Sequence, residues 1–375
     1  MHEVVRIASD LIAIPSVNPM GSGETGEIYS ERNLALHLQS TFSRWGVDSE
    51  LSGSDPAHPN LLARIDRGLP ETVLLEAHMD TVSHLGMDID PFKPFVRDGN
   101  LYGRGACDTK GSMATYLAAI ANVLQSNRPL RHNVLFAAVH DEEFSFGGIR
   151  ELTRTHDLKA TFAVVGEPTQ LGMIHAHKGL CRFHLHTTGK AAHASMPWLG
   201  DSAIYRMADV LEDLLRHAGQ LAEHPHPSLG PATLNIGRIS GGLAVNIVPP
   251  NATIEIDRRL LPGETAETAI TQLRTSLRDQ GEHLVLDPPY MHSTGFYVEP
   301  DSAPCRALSE AIRSLGLEPT LETAHYGTDA SFLYEAGIPP VVFGPGNIAL
   351  AHTRAEHISV ADLEQATRII ERLIA

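Results

Sequence analysis

VLFAAVHDEEFSFGG, residues 134–148, passes from an unbroken apolar run into three consecutive acids, Asp141, Glu142 and Glu143, and then into a Gly-Gly pair. Val134 to Val139 is short, continuously apolar and free of Gly and Pro, which predicts a buried strand. Acids that close such a strand stand at the rim of a sheet, where open α/β folds bind their ligands. Taken alone, an acid run is most often a solvated turn. Its meaning therefore depends on what the other strand ends carry.

Three other apolar runs end in the same way. Thr72 to Ala77 leads directly into His78-Met79-Asp80. Ala160 to Val165 ends in Gly166-Glu167-Pro168-Thr169, and Pro340 to Phe343 is followed by GPGNIALAHTRAEH, which contains His352. The glycine-punctuated loop GRGACDTKGS, residues 103–112, adds Asp108 and opens into a predicted helix from Ser112 to Leu124. One His-x-Asp is weak on its own and is more often a structural pair than a ligand. Several His and carboxylate groups, each closing a strand or a Gly-rich turn, do not fit a solvated surface. Unpaired carboxylates crowded into a low-dielectric cleft do not stay ionised, so such a cluster calls for cations. Two divalent ions are the economical solution, and nitrogen and oxygen ligands without thiolate suit zinc, cobalt or manganese.

The rest of the chain separates into a parent and an insertion. Helices are expected at the N-terminus up to Pro15, from Ser30 to Gly46, after Gly148, over Ala303–Leu315 and at the C-terminus behind Ser359. Asp98-Gly99 between short apolar runs signals a hairpin. From about His177 the pattern changes: Cys181, Phe183 and Leu185 alternate with Arg182, His184 and His186, as in a half-exposed strand. An amphipathic helix follows, with Ile204, Met207, Val210, Leu211, Leu214 and Leu215 expected to face inward. Strands at Ala232–Ile239 and Ala252–Leu260, a helix at Glu264–Arg278 and a strand at His283–Leu286 complete a β-α-β-β-α-β order. The fold class expected is α/β: a mixed-sheet catalytic domain with helices on both faces, residues 1–176 and 290–375, carrying an inserted ferredoxin-like domain, residues 177–289.

Composition narrows the function. With 45 acids against 29 bases and a formal charge of -16, nucleic acid and anionic membrane surfaces are not expected partners. Three cysteines, Cys107, Cys181 and Cys305, make no disulfide framework and suit a cytoplasmic, reducing compartment. The N-terminal stretch reads as an amphipathic helix ended by Pro15 rather than a signal peptide, and no apolar run is long enough to span a membrane.

His78-x-Asp80, the Gly103-to-Gly111 loop, Asp141-Glu142-Glu143, Gly166-Glu167-Pro168-Thr169 and Ala351-His352-Thr353 together resemble the di-zinc amidohydrolases. That family contains acetylornithine deacetylase, succinyl-diaminopimelate desuccinylase, aminoacylase and the glutamate-releasing carboxypeptidases of the carboxypeptidase G type, and its fold is that of the zinc peptidases. The resemblance covers essentially the whole chain. It implies that Asp108 bridges two ions, with His78 and Glu167 completing one site and Glu143 and His352 the other. It makes Asp80 the partner that orients His78, and Glu142 the general base. The resemblance also implies a cis peptide after Asp108, an oxyanion-stabilising role for His193, and substrate binding by Asn246, Arg259, Gly327 and Thr328. Arg258 competes with Arg259, which strand alternation and the following Leu-Pro-Gly-Glu favour. Cys107, Lys110 and Lys178 read as structural.

Within the family the segment FGPGNIALAHTRAEHI is most similar to the acetylornithine deacetylases, although Arg354 departs from their usual pattern. The expected activity is hydrolysis of the amide of a small N-acyl amino acid, N-acetylornithine first, as a step of arginine biosynthesis. A carboxypeptidase or dipeptidase acting on short peptides is the enzymatic alternative. A catalytically silent metal-binding dimerisation module is the alternative outside enzymes, and the retention of Glu142 speaks against it. The resemblance further implies a homodimer formed through the inserted domain.

Overall fold

The computed structural model describes residues 2–126, 128–279 and 281–375. The chain forms two compact units, the first built from Met1–His175, Val298–Glu322 and Thr328–Ala375, the second from Ala176–Tyr297 and Thr323–Gly327.

The first unit is organised on a mixed sheet. Asn133–Val139, Thr72–His78, Phe162–Val165 and Pro340–Val342 run parallel in that spatial order, and Asp48–Ser52 and Asn60–Ile65 extend the sheet antiparallel beyond Asn133–Val139. Thr72–His78 and Asn133–Val139 are buried at every position, so both faces of the sheet are covered. Register does the rest. His78 lies opposite Val139 and Glu76 opposite Val165, so the residues following these strands emerge side by side at one carboxyl edge. The hairpin signalled by Asp98-Gly99 joins Phe95–Arg97 to Asn100–Tyr102, and His357–Ser359 adds a third strand to it. The last helix, Val360–Ile374, starts on Ser359, whose hydroxyl accepts from the Asp362 amide. It buries Leu363, Ala366, Ile370 and Leu373 against Lys110–Ser126 and Glu3–Ile12. Among the described residues no helix is long and apolar enough to cross a membrane.

The second unit follows the β-α-β-β-α-β order through strands Gly179–Thr188, Thr233–Gly241, Asn251–Leu260 and Leu284–Leu286 and helices Ala203–Ala222 and Ala266–Ser276. Its strands are antiparallel, and Gly179–Thr188 is paired on one side with Asn251–Leu260 and on the other with Leu284–Leu286. The unit runs past the expected limit of 289 because Met291–Ser293 pairs with Leu180–Arg182, which holds the chain on this sheet. Thr323–Gly327 belongs here as well, with the Lys178 amide donating to the Ala324 carbonyl at 3.3 Å. The core is closed by Phe183, Leu185, Met207, Val210, Leu214, Ile254 and Ile256. Two residues expected inside are not: Ile204 and Leu215 are 42% and 72% exposed. The buried stripe of the helix is narrower than its apolar stripe, and these two lie on the borders of the Met207-Val210-Leu214 line. Phe183→Ala should destabilise the protein by about 3–5 kcal/mol, the usual range for emptying a closed core site. Denaturant unfolding followed by tryptophan fluorescence and circular dichroism checks this, and an unchanged midpoint would refute the core assignment.

Candidate metal centre

The carboxyl edge of the first unit collects the acids and histidines singled out above. His78 ends its strand with a nearly fully buried ring, and its Nδ1 lies 2.9 Å from the Asp80 carbonyl oxygen. A carbonyl only accepts, so Nδ1 carries a proton and Nε2 is turned into the cluster. There Nε2 is 3.2 Å from Asp108 Oδ1 and 3.9 Å from Glu167 Oε1. On the other side, His352 Nε2 is 3.1 Å from Asp108 Oδ2 and 3.2 Å from Glu143. The two oxygens of Asp108 therefore face two different histidines, one accompanied by Glu167 and the other by Glu143. Possible ligand atoms of His78, Glu142 and Glu167 lie within 4.8 Å of one another, and so do those of His78, Asp108 and Glu143. Glu142 thus borders the ligand cluster, but the hydrogen bond to His352 is made by Glu143.

Asp80 meets the His78 ring mainly through its backbone carbonyl. Its carboxylate is 3.5 Å from Nδ1, farther than its own carbonyl, and it accepts from the backbone amides of Glu142 and Glu143 at 3.0 and 3.1 Å. Asn18 Nδ2 donates to Asp80 at 2.8 Å and to Asp141 at the same distance. Asp141 also accepts from the Ser145 hydroxyl and sits at a φ of 60°, which turns the chain so that Glu142 and Glu143 follow the rim. The Gly-Gly pair lets this loop return. A Cβ on Gly148 would stand 2.4 Å from the His140 carbonyl oxygen and 2.7 Å from Asn60 Oδ1.

Asp108 is presented from below. Glu356, fully buried, accepts from the amides of Cys107 and Asp108 at 2.9 and 3.1 Å and pairs with Arg104 at 2.6 Å. The Asp108–Thr109 peptide is cis, and the Thr109 hydroxyl donates to the Gly166 carbonyl next to Glu167. His352 is held at a φ of 62°, an uncommon conformation for histidine of the kind that gathers at functional sites. Lys110 donates to the Leu11 and Ile14 carbonyls at 3.1 and 2.7 Å, tying the end of the first helix to the site loop. Cys107 is buried, with its thiol pushed well above its usual value by that burial.

The electrostatics reflect crowding. Burial, and then the neighbouring Asp108, push Glu143 up to about 7 and Glu167 well above the carboxylate range. Glu142 is raised well above that range by burial and by Asp329, Glu143 and Asp108. Asp108 goes the other way, because hydrogen bonds from His352 and His78 outweigh the burial that would raise it. The same bonds to Asp108 and Glu143 lift His352 to about 10. The arrangement is one of carboxylates competing for positive charge.

In the second unit, His193 and Asn246 are neighbours: the Ala194 amide donates to the Asn246 carbonyl at 2.9 Å, and both residues are exposed. The Ser195 amide donates to His193 Nδ1 at 3.2 Å, which places the ring proton of the neutral form on Nε2. Arg259 lies on the open face of the sheet, whereas Arg258 is turned inward and bound to Glu264 at 2.9 Å. Gly327 falls in the second unit, where an added Cβ would sit 3.2 Å from Ser293 Oγ. Thr328 opens the first unit's next segment and caps Ala330 with its hydroxyl at 3.2 Å. Arg354 is engaged by Asp88 at 2.7 Å. Asn18, Glu356 and Arg104 escape the sequence reading, since an Asn in a polar loop, an acid near the C-terminus and an Arg between glycines carry no periodic signal.

Comparison with known proteins places this geometry. Residues 74–375 match Peptidase family M20/M25/M40. The acetylornithine deacetylase of Myxococcus xanthus is 35% identical over 309 residues, covering 80% of this chain and 79% of that one. A "probable carboxypeptidase" of Aspergillus niger is 32% identical over 390 residues, covering 97% and 87%. An M20 family metallo-carboxypeptidase from Sulfolobus solfataricus shares the fold with a TM-score of 0.81 at 21% identity, covering 100% and 98%. A protein described as a dinuclear metal binding peptidase from Bacillus subtilis superposes with a TM-score of 0.71 at 17% identity, covering 99% and 96%. The chain is a member of the M20/M25/M40 family of peptidases and related metallohydrolases.

Proposed function

We propose that this protein hydrolyses the amide bond of a small N-acyl amino acid with the help of two divalent ions. The observation that carries the reading is the sharing of Asp108, one oxygen toward His78 and Glu167 and the other toward His352 and Glu143. The donor set fits the ions. It is all nitrogen and oxygen, which suits zinc with cobalt or manganese as substitutes, and it gathers buried carboxylates whose ionised forms need cations beside them. His78, Glu167 and Asp108 would hold one ion, and Asp108, Glu143 and His352 the other. Bound there, the ions supply Lewis acidity toward the scissile carbonyl and toward water.

The protein's own groups handle the protons. Glu142, held at the rim by the hydrogen bond that its backbone amide donates to the Asp80 carboxylate, takes a proton from the attacking water and returns it to the leaving amine. Its burial raises its proton affinity, as a base that must also act as an acid requires. His193 presents an Nε2 proton and is assigned the donor to the developing oxyanion. Arg259 is assigned the substrate carboxylate, and Asn246, Gly327 and Thr328 are assigned to substrate binding with it. N-acetylornithine is the first substrate to test, given the deacetylases among the relatives. Cleavage of a C-terminal residue from a short peptide is the second reading, favoured by the carboxypeptidases at comparable identity. A homodimer through the second unit and a cytoplasmic location, in keeping with three buried free thiols, complete the proposal.

A panel that varies acyl group and amino acid separately, with zinc or cobalt supplied, tests the activity. Glu142→Gln should lower kcat by about 10²- to 10⁴-fold with two ions still bound. Turnover at the wild-type level would discard the general-base assignment, and a wild type inert on every N-acyl amino acid and peptide would favour a silent module. Metal loading gives a further check. His352, lifted to about 10, carries a proton at pH 7 in the metal-free protein and must lose it to bind an ion. Titrating zinc into chelator-stripped protein at pH 7 should therefore release protons, seen as a binding enthalpy that varies with the ionisation enthalpy of the buffer. A buffer-independent enthalpy would contradict the assignment.

A further inference from the structure

We propose that Asp257 is the positioning residue that sets the Arg259 guanidinium for capture of a substrate carboxylate, and through it the preference for substrates that carry one. The inference rests on the role given to Arg259 above.

The pleat separates the tandem arginines. In Asn251–Leu260, residues 252, 254, 256, 258 and 260 are buried and the alternate positions are half-open, so Asp257 and Arg259 share the open face while Arg258 enters the interior. Asp257 stands directly opposite Arg182 of the neighbouring strand. Its two oxygens divide the work: Oδ1 accepts from Arg259 Nε at 2.8 Å, and Oδ2 accepts from Arg182 Nε at 2.8 Å and from Arg259 Nη2 at 3.3 Å. Only the Nε–Nη2 side of Arg259 is used. Nη1 makes no hydrogen bond among the described residues, and Nη2, which carries two N–H groups, makes one, to Asp257, so the outer Nη1–Nη2 edge still has donors to offer. That edge, like the Nε–Nη2 edge that Asp257 occupies, can meet a carboxylate with two parallel N–H donors.

Two cations around one anion leave the trio with a net positive charge, so a second carboxylate is still attracted. The side chains of Arg182, Asp257 and Arg259 are 34%, 23% and 26% exposed, open enough for water to screen the repulsion between Asp257 and an incoming anion. What Asp257 contributes is order. An untethered arginine on a strand face samples many rotamers, and it loses that freedom only on binding. The tether removes this cost beforehand and fixes the plane of the fork.

The test compares N-acetyl amino acids with their carboxamides on the metal-loaded enzyme. Asp257→Asn keeps the shape and removes the charge that bridges the arginines. It should raise KM for the carboxylates about tenfold, the size of effect expected from losing the preordering of one long side chain with its aligned bond. KM for the carboxamides and kcat for both series should stay within about twofold of wild type. Asp257→Glu, which retains the charge on a longer arm, should recover part of the loss, and it serves as the test if the Asn variant does not fold by circular dichroism. A KM for carboxylates that is unchanged or lower in Asp257→Asn would overturn the proposal, the lower value showing that Asp257 competes with substrate. Arg259→Gln separates the two levels by whether its effect on KM discriminates: if it raises KM for carboxylates no more than for carboxamides, the role given to Arg259 fails. If it does discriminate while Asp257→Asn does not, the positioning role alone fails.

Discussion

The constraint on which the first unit depends is the confinement of like charge. Asp80, Asp108, Glu142, Glu143 and Glu167 meet at one edge of a sheet whose central strands are buried throughout. No packing of apolar side chains makes such a cluster comfortable; only protons, cations or aligned amide dipoles do. Asp80 and Asp108 are kept ionised by histidines and donors of the protein itself. Asp80 is held down first by His78, through a hydrogen bond and its charge, and then by donors from Asn18 and the Glu142 amide, which together outweigh its burial. Glu143 and Glu167, by contrast, are raised by burial and by neighbouring acids. The acids thus sort into those satisfied by the protein's own donors and those left short of positive charge.

Much of this was legible in the sequence because strand ends are legible. A continuous apolar run followed by His or acid marks both an element and an edge, and parallel register then brings His78, Glu142, Glu143 and Glu167 together without further information. The alternation in Gly179–Thr188 identified a one-sided sheet for the same reason. What escaped detection lacks periodicity. Asp48–Ser52 is a polar edge strand and Met173–His177 is a fully buried strand with two histidines; neither has the pattern of its environment. The supports of the site are single residues distant in sequence. Glu356 reaches Asp108 across 248 positions, and Asn18 reaches Asp141 across 123. Only tertiary structure exposes such pairings. Ile204 and Leu215 failed for the opposite reason, since an apolar side chain at helical spacing was read as buried when it lies on the border of the stripe.

The second unit shows how one strand can serve two chemistries. Ala252, Ile254, Ile256 and Leu260 of Asn251–Leu260 belong to a closed apolar core, with Arg258 turned inward among them onto Glu264, and the alternate residues form a polar surface in which Arg182, Asp257 and Arg259 are coupled. A slip of one residue would bury Asp257 and expose Ile254 and Ile256, so the same alternation that stabilises the unit also fixes which arginine is presented. The packing of the core and the presentation of Arg259 therefore depend on a single register.

The buried pair of Arg104 and Glu356 has a consequence for how the site comes into being. Asp108 is offered to its partners by amides that Glu356 holds, and the second histidine of the cluster, His352, lies just before that glutamate. Both belong to the last two dozen residues of the chain, whose final helix packs on the helix that follows Asp108. During synthesis the glycine loop is made long before the residue that shapes it. A chain made only as far as residue 351 would carry most of the acids but neither the clamp nor the second imidazole, so the histidine–carboxylate cluster is completed only as the segment from His352 to Glu356 docks.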